Sequence, residues 1–523
     1  MLIPLRQKDM LSGFFVFLIA LPLSMGVAMA SGFPPISGIF TACIGGCLAS
    51  LLGGSRLTIK GPAAGLIVIV LGAVQELSMG DPFAGYRKTL AVGVAAALVQ
   101  ILFAIARLGI FAEMMPLAVA HGMLSAIGVI IISKQIHLLC GVTPTASHPV
   151  DLLLEIPHSL QTLNPQVFFI GALSLALLFL LPKLKIPTIK KIPAPIFALG
   201  AAIPLAFYLG FDTQHEYLFM GQAHMVGPKL LVNLPANFVQ AITFPDFSSL
   251  FSFVSLKYVF LLAIVGMIES LLTVSAVDAL DPKRIPSDLN RDLLAVGISN
   301  LVAAFIGGLP MISEIVRSKA NIDNGAESAG ANFFHGVCLF LAISIFPTLL
   351  HYIPLAVLAA MLVYTGSRLA SPSEFVLTFQ KGYDQFAIFF LTLITTICTD
   401  LLLGIVVGLA GKFLLHRLWG VPFLHPFRVQ TTTIREGDKQ VMKIESPCTF
   451  TNYIPLKRKI ITARKESDIV ELNFYASRLI DYTTQSKLRE LQREFGSVHL
   501  TIKGFENHRS VSPDPLSTKI RMQ

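Results

Sequence analysis

Four ionisable side chains stand where an apolar chain has no evident use for charge. Lys60 precedes Gly61-Pro62 inside one hydrophobic run, Glu314 and Arg317 follow the break Gly307-Gly308-Leu309-Pro310, and Glu269 lies deep in the apolar stretch 258–277. Charge at membrane depth is costly enough to mark a functional site by default. A Gly-Pro break followed by a shortened apolar run also starts a helix whose first N–H groups have no partner and carry roughly half a positive charge. Two such starts facing one cavity make an anion site without a full positive charge. Thr273 falls one turn after Glu269, on the same helical face.

These residues need a membrane-spanning scaffold, and the composition supplies one. The chain has 523 residues, 54% hydrophobic and 14% charged, with one Trp and a mean hydropathy of +0.70. Long apolar runs with few or no charges, from 11–30 through 354–370 to 400–418, together with the short runs 62–77 and 310–320, give about fourteen spanning elements. The net charge of +9 falls in loops between spans, so it sets orientation rather than pointing to nucleic acid. Arg6, Lys8, Arg107, Lys183, Lys185, Lys190, Lys191, Lys283, Arg284, Arg291, Lys319, Arg368, Lys381 and Arg417 share one side, which predicts cytoplasmic termini. The first span has no small-residue cleavage site and reads as a retained helix. The six cysteines have neither metal-ligand spacing nor a disulfide pattern.

Near residue 420 the composition turns charged and β-branched. Strands are expected at Val441 to Ile444, Ile469 to Phe474 and Val498 to Ile502. A helix is expected from Asp481 to Phe495, with Thr484, Leu488, Leu491 and Phe495 on one face. Residues 428–505 therefore read as a small cytoplasmic α/β domain, and 506–523, with Pro513 and Pro515, as a disordered tail.

The Pro22 helix with Ser31-Gly32-Phe33-Pro34-Pro35, Lys60-Gly61-Pro62, Ile268-Glu269-Ser270-Leu271-Leu272-Thr273 and Gly307-Gly308-Leu309-Pro310 ending in Arg317 resemble the sulfate permease (SulP) family. That family includes sulfate and bicarbonate transporters. Val470-Glu471-Leu472-Asn473-Phe474 and Asp481-Tyr482-Thr483-Thr484 resemble its STAS domain. The resemblance implies an all-α polytopic domain over 1–420, built as two inverted seven-helix repeats (about 1–210 and 250–420) that form core and gate domains. Its third and tenth helices are half-length and point their N-termini at each other. It also implies a homodimer in the bacterial inner membrane, no cofactor beyond a possible sodium ion, and no enzymatic activity.

On that footing Gly61, the backbone N–H groups of Ala63, Ala64, Ser313 and Glu314, and the Arg317 guanidinium are expected to hold the anion. Lys60 is a departure, because relatives carry a small or polar residue there. Its ammonium either reaches the cavity and favours a divalent anion, or pairs with Glu314 or snorkels to the cytoplasmic face. Glu314 is a second departure, either titrating during transport or neutralised by Lys60. In similar bicarbonate transporters an aspartate with a threonine four residues on binds sodium, whereas bacterial members with glutamate are proton-coupled. Low dielectric disfavours a charged carboxylate, so Glu269 suits a proton, with sodium held by Glu269 and Thr273 as the alternative. A salt bridge from Glu269 to Arg317 or Lys60 is the third reading.

Gly38, Ala42, Gly46 and Ser50, and Gly404 with Gly408, read as close-packing seams. His121 and His335 read as interior histidines and Asp400 as a helix cap. Thr483 stands near the position phosphorylated in anti-sigma antagonists, against a simpler reading of the domain as a folding and dimerisation module. No phosphate loop is present. The expectation is a proton- or sodium-coupled transporter of a small anion, sulfate before bicarbonate, working by alternating access. An uncoupled channel or exchanger, or a dicarboxylate transporter, is the alternative.

Overall fold

The computed structural model describes residues 6–146, 148–184, 192–235, 237–422, 428–437 and 439–522. Lys185, Lys190 and Lys191, expected on the cytoplasmic side, lie outside these. The chain packs as two compact units, residues 1–109 with 127–369, and 110–126 with 370–523.

In the first unit α1 (Gln7–Ala30), α2 (Pro35–Leu52) and β1 (Ile59–Pro62) lead through a turn of 3-10 helix into α3 (Ile67–Ser78). Next come α4 (Pro82–Ile105), α5 (Leu117–Leu139, whose residues from Ile127 belong here), α6 (Pro149–Gln161), α7 (Pro165–Leu180) and α8 (Ala194–Tyr208). A hairpin of β2 (His215–Phe219) and β3 (Gln222–Val226) precedes α9 (Phe253–Leu280) and α10 (Leu289–Phe305). Then β4 (Met311–Glu314) runs into α11 (Ile315–Asp323), and α12 (Gly330–Ile345), α13 (Pro347–His351) and α14 (Leu355–Leu369) close the unit.

Among the described residues, eight helical stretches are long and apolar enough to cross a membrane, and four shorter apolar helices accompany them. Helices α3 and α11 have 12 and 9 residues, so at 1.5 Å per residue they reach about 18 and 14 Å, roughly half of a 30 Å hydrocarbon core. The small-residue seam works by contact. A Cβ on Gly38 would overlap the Ser24 carbonyl of α1, and one on Gly46 would strike the backbone of Gly336 in α12. Close backbone approach of this kind is what small residues allow where lipid gives no hydrophobic drive between helices.

The second unit contains α15 (Pro372–Lys381), α16 (Tyr383–Cys398) and α17 (Leu401–Leu418), the last capped by Asp400, whose Oδ1 accepts the Leu403 amide at 2.9 Å. Gly404 and Gly408 fit α17 against Thr396 and Thr392 of α16. A four-stranded sheet follows in the order β5 (Thr431–Glu436), β6 (Lys439–Ile444), β7 (Ile469–Asn473), β9 (Leu500–Lys503), with β5 antiparallel and the others parallel. Helices α18 (Tyr453–Glu466) and α19 (Tyr482–Phe495) cover it through Leu456, Ile460, Leu488 and Leu491. Asp481 caps α19, accepting from Thr484 N at 2.7 Å and Phe450 N at 2.8 Å.

Two expectations are corrected here. Residues 506–523 are not a disordered tail. They form β10 (His508–Ser510) and β11 (Lys519–Arg521), which extend β8 (Leu479–Ile480) into a second sheet, and the Thr518 hydroxyl donates to Asp384 Oδ2 at 2.7 Å. The composition change near 420 is also not where the packing divides. Lys412 and His416 of α17 are buried 3.8 Å from Asp384 and 3.7 Å from Asp481, so α15 to α17 belong with the α/β module.

Deleting residues 506–523 removes β10, β11 and the Thr518 bond. It is expected to lower the melting temperature of the purified protein by about 5 °C, the shift that a loss of two kcal/mol produces in a unit of this size. An unchanged melting curve and protease pattern would show that the tail strands carry no stability.

Candidate functional site

The two chain breaks meet. β1 and β4 pair antiparallel with Ile59 opposite Glu314, Lys60 opposite Ser313, Gly61 opposite Ile312 and Pro62 opposite Met311, all eight residues buried. Helices α3 and α11 therefore start from the two ends of one small ladder. The ladder exists because an interrupted helix in a low-dielectric interior must satisfy its freed amides. Gly307 makes the second break possible by taking φ +97°, a left-handed geometry favourable to glycine.

Amides that leave the ladder are caught by side chains. Ile59 N donates to Ser318 Oγ at 2.9 Å, Lys60 N to Asn332 Oδ1 at 3.2 Å, Ser313 N to Ser270 Oγ at 3.1 Å, Met311 N to Asn300 Oδ1 at 2.6 Å and Leu309 N to Thr41 Oγ1 at 2.7 Å. The Ala63 amide donates to Pro310 O at 3.1 Å. Of the four amides expected to hold an anion, Ala63 and Ser313 are thus already engaged within the protein.

The charges sort into pairs. Lys60 Nζ lies 2.6 Å from Asp292 Oδ1 and also meets Thr58 Oγ1, so it pairs with neither Glu314 nor the cytoplasmic face. Arg317 Nη2 is 3.8 Å from Glu314 Oε1. Among the described residues none of the three guanidinium nitrogens of Arg317 has a hydrogen-bond partner, although its side chain is 0% exposed. Glu269 is buried, its Oε2 without a hydrogen-bond partner among the described residues, and its carboxylate rests against Gly65 at the entry to α3. Thr273 is buried one turn further along α9. Gly61 stands directly beneath the Arg317 guanidinium, and any Cβ there would overlap Nη1.

Lys60, Gly61, Ser313, Glu314 and Arg317 are thus brought to one crossing, with Glu269 at its α3 side. Asp292, Asn300, Asn332 and Ser318 were missed. Asn300 and Asn332 are polar residues within apolar helical runs, which was the available signal, whereas Asp292 follows Asn290-Arg291 and Ser318 stands between Arg317 and Lys319, where a polar residue does not stand out. Elsewhere, Thr483 lies in the first turn of α19, fully buried, its hydroxyl accepting from Leu117 N at 3.4 Å. The exposure a modified hydroxyl needs is missing. His121 pairs with Glu374 at 3.3 Å.

Residues 7–392, three-quarters of the chain, match the sequence profile of the Sulfate permease family. The chain belongs to the sulfate permease family. It is therefore a multi-pass membrane anion transporter, not an enzyme. The putative sulfate transporter YvdB of Bacillus subtilis is 27% identical over 87% of this chain and 82% of its own. The bicarbonate transporter BicA of Picosynechococcus is 24% identical over 77% of this chain and 68% of its own. In structure, the transmembrane domain of a cyanobacterial BicA superposes with a TM-score of 0.63 at 24% identity, over 77% of this chain and 97% of that one. SLC26A9 superposes with a TM-score of 0.69 at 15% identity, over 95% and 83%. These likenesses show the fold, and the C-terminal sheet region fits a STAS domain.

Two cavities open in the transporter's first unit. One of about 290 Å³ follows α11, lined by Val316, Lys319 and Asp323 with Leu23 of α1 and Thr365 and Arg368 of α14. Another of about 130 Å³ follows α3, lined by Ile67, Leu71 and Gln75 with Ile130 and Lys134 of α5.

Gly65→Ala would drive a methyl group into the Glu269 carboxylate, and about a tenfold or greater loss of transport rate is expected. Gly200→Ala, in α8 with open space around it, should transport normally and gain up to about 1 kcal/mol of stability. Uptake by the two purified variants checks both. Normal transport by Gly65→Ala would mean that the Glu269–Gly65 contact is not part of the working site.

Proposed function

We propose that the chain is a secondary active transporter of a small inorganic anion, sulfate first and bicarbonate second, coupled to a proton or a sodium ion and working by alternating access. One observation carries this reading. Two half-length helices start at one buried strand crossing, where Arg317 has no hydrogen-bond partner among the described residues and Glu269 lies against the α3 entry.

The anion would sit between the starts of α3 and α11, where peptide dipoles supply partial positive charge and Arg317 a full one. Counting the buried groups, Lys60 offsets Asp292 and Arg317 offsets Glu314, which leaves Glu269 as the odd carboxylate. An unpaired carboxylate in low dielectric must gain a counter-charge. A proton on Glu269 meets that need and lets the guanidinium field act on the substrate. A sodium ion would instead take oxygens from Glu269 and Thr273, and the unpartnered Glu269 Oε2 is the atom that fits it.

The two cavities follow the two half-helices away from the crossing, as access from either side requires, and the larger one suits a conformation open at the α11 end. The ranking of sulfate over bicarbonate draws on the names of the relatives and is analogy. We place the protein as a homodimer in the bacterial inner membrane with both termini cytoplasmic, following the distribution of basic residues, and with sodium as the one candidate bound cofactor.

The test is uptake of labelled sulfate and labelled bicarbonate into proteoliposomes under an inward proton gradient, an inward sodium gradient or neither. Wild type should accumulate one anion under one gradient. Glu269→Gln should lose that accumulation by about tenfold or more and keep downhill exchange. Gradient-independent flux in wild type would favour a channel or exchanger, and undiminished accumulation in Glu269→Gln would remove that residue from the coupling step.

A further inference from the structure

Asp292 enters the reading above only as a charge set against Lys60, yet it is a heavily engaged carboxylate near the crossing. It lies in the first turn of α10 and is fully buried. Its Oδ1 accepts from Lys60 Nζ at 2.6 Å and from Ser55 N at 3.1 Å, and its Oδ2 accepts from Ser313 Oγ at 3.3 Å. Lys60 and Ser313 are opposite one another in the ladder, so one carboxylate grips both strands and the loop that leads into β1. Ser313 passes the connection on to Ser270, at 3.2 Å between hydroxyls, the residue next to Glu269. Gly54 lets α10 come this close, since a Cβ there would collide with the Asp292 backbone.

We propose that Asp292 is a positioning residue that neutralises Lys60, so that the cation facing the anion is Arg317 alone. The contrast between the two pairs supports this. The Lys60 ammonium has a carboxylate oxygen at 2.6 Å and a hydroxyl beside it, which is the geometry a buried ion pair needs to offset desolvation. Among the described residues the Arg317 guanidinium has a 3.8 Å pairing with Glu314 and no hydrogen bond, which leaves its donors for a substrate. The lysine before the Gly-Pro break therefore works as a strut held by its counter-ion, and the site attracts its substrate with one guanidinium and two helix starts. Removing the counter-ion would hand the site a second full charge and strengthen its hold on a divalent anion more than on a monovalent one.

The proposal uses the reading of the crossing as the anion site, so its test has one arm that does not. The KM values for labelled sulfate and labelled bicarbonate are measured in proteoliposomes for wild type, Asp292→Asn, Lys60→Met and the double variant, alongside the melting temperature of each in detergent. Asp292→Asn should lower the sulfate KM about fivefold relative to the bicarbonate KM and slow turnover, a gain in affinity that a merely structural role would not produce. The double variant should return that ratio to the wild-type value. In melting, the double variant should be more stable than Asp292→Asn, because an apolar residue replaces a charge left unpaired. An unchanged KM ratio in Asp292→Asn, or a double variant that keeps the shifted ratio of Asp292→Asn, overturns the proposal; Lys60→Met alone leaves the Asp292 carboxylate uncompensated and should raise the sulfate KM selectively. Should wild type move neither anion, the function reading fails, and the order of melting temperatures still decides whether Lys60 and Asp292 act as a pair.

Discussion

A peptide group left without a hydrogen-bond partner in hydrocarbon costs several kcal/mol, and this constraint shapes the centre of the transporter. Helix starts inside the membrane are useful because they offer donors to an anion, but every donor not so used must be satisfied by the protein. The fold answers by pairing the two interruptions with each other. Four residues of each make a ladder, and amides turned away from it are taken by Ser318, Asn332, Ser270, Asn300 and Thr41. Those five side chains come from α11, α12, α9, α10 and α2, so the helices around the crossing are held in place by the same bonds that make the interruption tolerable. The glycines complete the arrangement by removing side chains where backbone, guanidinium and carboxylate must touch.

Charge follows a similar logic. Lys60, Asp292, Arg317, Glu314 and Glu269 lie at or beside the crossing, with the buried His335 of α12 close to Arg317, and burial makes charge on each unfavourable unless it is paired and hydrogen-bonded. Lys60 and Asp292 meet that standard closely, whereas Arg317 and Glu314 meet it loosely and Glu269, with no cation against it among the described residues, only through the Gly65 backbone. On the function proposed above, the degree of satisfaction separates scaffold from machinery. A tightly satisfied pair has little reason to exchange partners during a cycle. A loosely satisfied one gains by binding substrate, and an orphaned carboxylate gains by binding a cation.

Much of the fold was legible in the sequence because the membrane imposes strong rules. The run 354–370 became α14 to within a residue at each end, and 258–277 lies inside the longer α9, since long apolar stretches have few other fates. The two breaks, the buried Glu269 and the small-residue seam were legible for the same reason. The partner of Lys60 was not. Glu314 is a carboxylate on the opposing break, but the strand register sets Lys60 against Ser313, and the carboxylate within reach comes from α10. Register depends on tertiary pairing, which no local pattern records. The tail failed differently. Its polar, proline-containing sequence suggests disorder, whereas β8 presents an edge on which β11 and then β10 are built.

The abrupt change of composition near residue 420 marks where lipid contact ends, and it is tempting to place a domain boundary there. Packing places none at that point. Lys412 and His416 are apolar-face intruders on α17 until their neighbours are considered. Asp384 begins α16, Asp481 caps α19 of the α/β module, and Thr518 from the last strands bonds to Asp384. A buried ammonium or imidazole gains carboxylates from two regions of sequence within 4 Å only when both regions are folded together. The α/β module is thus a continuation of the last membrane helices. The burial of Thr483 against Leu117 belongs to the same packing, so the hydroxyl singled out by sequence as a point of control serves instead as part of the joint.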